Sequence, residues 1–167
     1  DAWPTNRGFD TFWGTMTGCG TYYQPGTLTR GTENIDHEAD REGFFYTDVI
    51  ADQSVDFLKT HKTESPDKPY FLYVPFTAPH WPLHAREETI KEYDGVYEAG
   101  WDKLREIRLQ RQKDLGLLPK YLELSPRDEG VPSWEDEAHK EWQVRRMQVY
   151  AAMVTEMDQA IGKCLPH

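Results

Sequence analysis

Cysteine is scarce in this chain: only Cys19 and Cys164 occur in 167 residues. Neither belongs to a Cys-x-x-Cys pair or a zinc-ribbon spacing, which argues against a disulfide framework or a structural zinc. Two ordinary buried thiols are the expectation, with a single bridge left open. Long apolar runs are missing too. None approaches the roughly 18 residues that a membrane-spanning helix requires, and the opening residues carry no signal-peptide pattern. Basic charge is in deficit, with 19 Lys and Arg against 29 Asp and Glu and a formal net charge of -10. That balance argues against a nucleic-acid backbone or an anionic membrane surface as partner. It leaves room for an anionic small substrate, because a local pocket can oppose the global sign. Internal repeats, low-complexity segments and the Gly-x-Gly-x-x-Gly, Walker A and Gly-x-Ser-x-Gly patterns are absent as well.

What is present is globular. Apolar residues make up 38% and aromatics 13%, including six tryptophans and nine tyrosines, more than a linker or tail carries. The length suffices for one ordinary domain with a sizeable core. Residues 1–45 are rich in Gly, Thr and Tyr and read as loops with short extended pieces. Residues 46–61, "YTDVIADQSVDFLKTH", are predicted helical, with Ile50, Ala51, Val55 and Leu58 on one side. Residues 69–76, "PYFLYVPF", are predicted to form a buried strand, since a nearly continuous apolar run suits a parallel strand covered on both faces. A short helix closed by Gly95 follows, then a longer one that stops at Gly116. The Ser133/Asp136 pair has the spacing of a helix cap. It is expected to open a last helix reaching about Leu165, whose Trp142, Met147, Tyr150, Ala151, Val154, Met157 and Ile161 make a core face.

One strand with few neighbours is a physical deficit, because its N–H and C=O groups must pair on both edges. A helix–strand–helix slice of a larger α/β sheet explains it. The first residue, Asp1, fits a chain cut from something longer. The expected organisation is a single segment: 1–45 loop-rich, 46–76 helix and buried strand, 77–85 pocket loop, 86–132 helical insertion, 133–165 long helix.

The stretch "FTAPHWPLHA" at 76–85 carries the most chemistry. As a metal pair, His80 and His84 would need to share one helical face, and Pro79 and Pro82 disfavour a helix there. The alternative places His80 on a loop after the carboxyl end of a buried strand, where open α/β sheets hold their ligands. Proline on either side limits backbone freedom, which suits a group that must keep one direction. A histidine there can donate to an anionic oxygen and, once protonated, stabilise charge building on a leaving group. A structural or simply exposed histidine is the commoner case, and composition and position alone leave both readings open. The run "DHEAD" at 36–40 and the basic stripe "REIRLQRQK" at 105–113 read as solvated charge. Cys19 lacks an adjacent base and reads as an inert thiol.

Four stretches, "PTNRGFDTFWG" (4–14), "GFFYTDVIADQSVDFL" (43–58), "KPYFLYVPFTAPHWPLHA" (68–85) and "VRRMQVYAAMVTEMDQAIG" (144–162), resemble the middle of a bacterial arylsulfatase. Residues 93–118 resemble the helical insertion of the same group. The likeness covers nearly the whole chain in order. It implies the sulfatase family of the alkaline phosphatase superfamily: an α/β fold with a mixed sheet sandwiched by helices, of which this chain is a helix-rich central slice, incomplete on its own. It implies hydrolysis of sulfate esters by a formylglycine hydrate, made in a Cys/Ser-x-Pro/Ala-x-Arg motif, beside a Ca2+ ion. It also implies that His80 lies in the sulfate pocket, as a catalytic and substrate-binding residue that helps the leaving oxygen depart. His84 inherits no role.

The departures bear equally on function. Cys19 is followed by Gly20-Thr21-Tyr22, so it is not the formylglycine site. The paired aspartates, the Gly-Lys-x-His motif and the Asp-Asn-Gly motif of the family are missing. The nucleophile and the calcium ligands are therefore expected outside this chain, no metal ligand within it, and the isolated chain is expected to be inactive. Expected partners are a sulfate-ester small molecule or a sulfated sugar and the remainder of the sulfatase domain, with no nucleic acid and no membrane. Many relatives are exported, so the resemblance leans towards a periplasmic or secreted protein. Two alternatives stand beside it: a slice of a related phosphodiesterase or phosphonate hydrolase, and a non-catalytic binding or structural module that keeps the fold.

Overall fold

The computed structural model describes residues 2–18 and 20–165. The chain divides into two compact units, residues 1–85 with 153–167, and residues 86–152. Cys19, and with it the expectation of an inert thiol or a bridge to Cys164, lies outside the described residues.

The first unit opens with a 3-10 turn at Pro4–Asn6 and a three-stranded antiparallel sheet in the order β1 (Trp13–Thr15), β2 (Leu28–Arg30), β3 (Glu33–Asn34). In register, Gly14 stands opposite Thr29, and Thr29 opposite Asn34. The "DHEAD" run is a 3-10 helix, Asp36–Asp40, with Ala39 buried beneath it. Asp36 Oδ1 accepts the Leu28 N–H at 2.6 Å, so this charged segment also fixes the start of β2. Helix α1 (Tyr46–Glu64) follows, entered through an extended Phe45 and ended at Ser65, just ahead of Pro66. It buries Tyr46, Val49, Ile50 and Ala51. Trp13, Leu28, Ile35, Phe44, Tyr46, Val49 and Ile50 form one apolar cluster. Each such side chain, fully buried, contributes about 1.5–3 kcal/mol, before the entropy cost of ordering the chain.

Residues 69–76 do not form the predicted strand. They run extended without a ladder partner among the described residues. Val74 and Phe76 pack against the apolar cluster, while Tyr70, Tyr73 and Phe71, the last 79% exposed, face outwards. The physical reason is that a strand exists through hydrogen bonds to neighbouring strands. An apolar run fit for burial on two faces stays half bare when no neighbour stands beside it. A cavity of about 1170 Å³ lies between this segment, α1 and residues 4–18.

In the second unit, α2 (Glu87–Lys91) and α3 (Gly100–Asp114) are followed by turns at Gly95 (φ +80°) and Gly116 (φ +71°), the left-handed positions that glycine fills without strain. The loop after α3 is tied back to it. Arg105 donates to the Ser125 carbonyl at 2.8 Å. Arg127 pairs with Asp102 at 2.9 Å, and the Trp101 indole donates to the Pro132 carbonyl at 3.1 Å.

The last helix, α4, runs Lys140–Cys164. Asp136 N–H does donate to Ser133 Oγ at 3.2 Å, but that pair closes a turn ahead of the helix. The expected core stripe is also displaced. Of the expected face Ala151 is buried, but Trp142, Met147, Tyr150, Val154 and Ile161 are exposed, and Gln148, Ala152, Met153, Glu156 and Ala160 are buried in their stead. Within the second unit, Gln148 Nε2 donates to the Tyr93 carbonyl at 3.4 Å and to Asp94 Oδ1 at 3.3 Å, which lets a polar side chain sit in the interior. A small antiparallel sheet plus helices makes an incomplete α/β assembly, as the sequence predicts.

Candidate functional site

His80 follows the extended segment 69–76 through a tight turn in which its N–H donates to the Thr77 carbonyl at 2.8 Å. The Ala78–Pro79 and Trp81–Pro82 peptide bonds on either side of it are cis. The residue is exposed. His80 Nδ1 lies 2.5 Å from the Trp81 carbonyl oxygen. A carbonyl only accepts, so this contact requires the proton on Nδ1. That choice leaves Nε2 as the nitrogen able to take and give a proton.

The loop carrying His80 is held from below by Tyr22, which sequence reasoning passed over. Tyr22 is 1% exposed, and its phenol donates to the His80 carbonyl at 2.9 Å. Burial pushes that phenol up to about 12, so it remains a donor across any working pH. The Tyr22 ring stacks on Phe45, centroids 6.0 Å apart, and its carbonyl accepts the Tyr46 N–H at 2.7 Å, which ties it to the first turn of α1. The Tyr22 N–H donates to His84 Nδ1 at 3.4 Å. The His84 ring meets Tyr22 edge-on at 5.8 Å and lies 5.5 Å from Tyr23. Tyr23 in turn donates its hydroxyl to the Ala85 carbonyl at 3.3 Å. The two histidines therefore divide the work: His84 turns inwards onto the tyrosines while His80 faces outwards. The available signal was the aromatic pair in "TYYQPG", two tyrosines before a Pro-Gly turn, but nothing local says which distant loop they meet.

Among the described residues no group of three or more His, Cys, Asp or Glu side chains could hold an ion. The described residues therefore do not fit calcium. No helix among the described residues is long and apolar enough to cross a membrane.

Comparison with known proteins gives the family. The sulfatase family model matches residues 1–165. An uncharacterized sulfatase of Schizosaccharomyces pombe is 37% identical over 185 aligned positions, covering 100% of this chain and 32% of its own length. The arylsulfatase of Klebsiella aerogenes is 33% identical, covering 96% of this chain and 36% of its own length. Arylsulfatase J of Mus musculus is 36% identical over 58% of this chain and 17% of its own length. The chain thus spans about a third of the first two relatives. Its small sheet and helices agree with an incomplete portion of the alkaline-phosphatase-like fold of that family. By a match over nearly every residue, this chain belongs to the sulfatase family.

Proposed function

We propose that this chain is the central part of a sulfuric ester hydrolase of the arylsulfatase kind, and that His80 serves the leaving oxygen. The observation that carries the reading is the fixed tautomer. With Nδ1–H committed to the Trp81 carbonyl, the outward Nε2 is set to hydrogen-bond an ester oxygen and, when protonated, to neutralise the charge that grows there as the S–O bond breaks. In such an enzyme a formylglycine would be the nucleophile and a calcium ion would be the metal. Both would be held by segments outside these residues. The substrate is a small sulfate ester or a sulfated sugar. The unpaired edges of residues 69–76 and the cavity beside them would receive the rest of the catalytic domain.

The test is His80→Ala in the full-length enzyme with a series of aryl sulfates. The expected loss in kcat is about 10²–10⁴-fold, largest for the poorest leaving groups, with the fold retained because the side chain is exposed. Unchanged turnover would reduce His80 to a structural residue. Assaying phosphate diesters and phosphonates alongside distinguishes the related hydrolases that could use the same histidine. Absence of turnover on every ester would favour a binding module.

A further inference from the structure

His80 does not hold its own position: it is exposed, and its loop meets the buried Tyr22 phenol through a main-chain atom. The geometry points to Tyr22 and His84 as the positioning residues of the His80 loop, with Tyr22 gripping it at the His80 carbonyl and His84 bracing Tyr22 from the far side. This rests on the reading of His80 as the group that serves the leaving oxygen.

Three observations converge. The Tyr22 hydroxyl reaches the carbonyl of His80 itself, not that of a neighbour, at 2.9 Å, so a shift of this bond moves the peptide that sets the direction of the imidazole. The Tyr22 ring is fixed by Phe45 and its main chain by Tyr46 N–H, so the grip is anchored on helix α1 rather than on another loop. The Tyr22 N–H is then satisfied by His84 Nδ1, which must be unprotonated to accept it and therefore carries its hydrogen on Nε2 when neutral. The two histidines, four residues apart, thus take opposite tautomers, His80 with hydrogen on Nδ1 and His84 with hydrogen on Nε2. Each tautomer is set by the group its Nδ1 meets. Displacement by about 1 Å at a catalytic group can cost on the order of 10²-fold in rate, which is why a grip of this kind matters.

The experiment uses the full-length enzyme and a double-mutant cycle. Tyr22→Phe removes one oxygen from a buried ring, and His84→Ala removes the brace. Each is expected to lower kcat by about tenfold with KM within about twofold, and to steepen the dependence of kcat on leaving-group pKa in the direction of His80→Ala. In the His80→Ala background both effects should vanish, because there is no imidazole left to aim. His84→Asn, whose Oδ1 can stand in for Nδ1 as acceptor, should restore most of the loss. If His80→Ala itself leaves turnover unchanged, the functional reading fails. If His80→Ala impairs the enzyme but Tyr22→Phe and His84→Ala either leave kcat alone or act equally in the His80→Ala background, the positioning role is overturned and the functional reading stands. Should Tyr22→Phe fail to fold, the His84→Ala and His84→Asn pair decides by the same criteria.

Discussion

The Trp134 indole lies against Gly100 in the place where any other residue would carry its Cβ. Gly100 opens α3 with φ +74°, and Trp134 meets Trp101 edge-on at 4.7 Å between centroids. Glycine is required here twice, once for the left-handed backbone and once for the close approach. Gly100→Ala should therefore destabilise the second unit by about 2–4 kcal/mol, from backbone strain and overpacking together. Urea unfolding followed by tryptophan fluorescence checks this. A midpoint equal to wild type would mean that Trp134 can leave Gly100 at no cost.

Beside that contact, Asp102 accepts the Trp134 N–H at 2.9 Å and pairs with Arg127. These two donors, the backbone N–H first, hold its carboxyl below the ordinary Asp range. A depressed folded pKa contributes stability that is complete above the unfolded value and is lost as pH falls through the folded one. Asp102→Asn should remove that contribution, lowering stability near neutrality and flattening its loss on acidification. Hydrogen exchange at the Trp134 amide between pH 5 and the acid limit reads it directly. An identical acid profile in the variant would contradict the assignment.

Local features of this kind were legible in the sequence, and non-local ones were not. Gly95 and Gly116 were readable as helix stops because a left-handed residue is a local demand. The Ser133/Asp136 pair was also readable, but the same pattern closes a turn or opens a helix, and Trp134 beside it is committed to Asp102. Apolar spacing failed where it presupposed a neighbour. Tyr70, Phe71 and Tyr73 of the 69–76 segment and the Met147, Tyr150, Val154 and Ile161 face of α4 look like interior positions in any window of sequence, yet they stand exposed here. Buried Gln148 is the converse case, a polar side chain admitted by partners more than fifty residues away. Around His80, a constrained turn was readable from its two prolines. Tyr22 was not, because the bond that makes it matter spans 58 residues.

Isolated residues 1–167 are expected not to turn over an aryl sulfate, because the motif around Cys19 is not that of a formylglycine. A fluorogenic aryl sulfate assayed with and without calcium tests it. Turnover that depends on the metal would show that the missing machinery is present after all.

The Cys164 thiol is predicted to react slowly. Burial, ahead of the lowering effects of Ser54 and Lys163, pushes its pKa up, and the thiol donates to the Ala51 and Ala160 carbonyls at 3.8 and 3.6 Å. Less thiolate is then present at any pH near neutrality than for a free cysteine. In a Cys19→Ser background, alkylation should be slower than that of a model thiol, and its pH–rate curve should be displaced to higher pH. A rate equal to the model thiol would place Cys164 in solvent.

Tyr46 joins the sheet to α1 through its hydroxyl, which accepts the Thr15 N–H at 2.9 Å and donates to Thr15 Oγ1 at 3.3 Å. The ring itself is buried, 5.8 Å from Trp13. Tyr46→Phe keeps the ring and strands the Thr15 N–H, so the cost is that of an unsatisfied donor, about 1–3 kcal/mol. Tyr46→Ala removes the ring as well and should cost about 3–5 kcal/mol, in the range of large aromatic truncations. The difference between the two separates hydrogen bonding from packing. Burial also raises the phenol pKa of Tyr46, so the folded state should resist its ionisation. Ultraviolet titration of wild type against Tyr46→Phe should show the tyrosine at this position ionising only above the ordinary phenol range. Ionisation of Tyr46 in that ordinary range would mean that its phenol is not shielded from water.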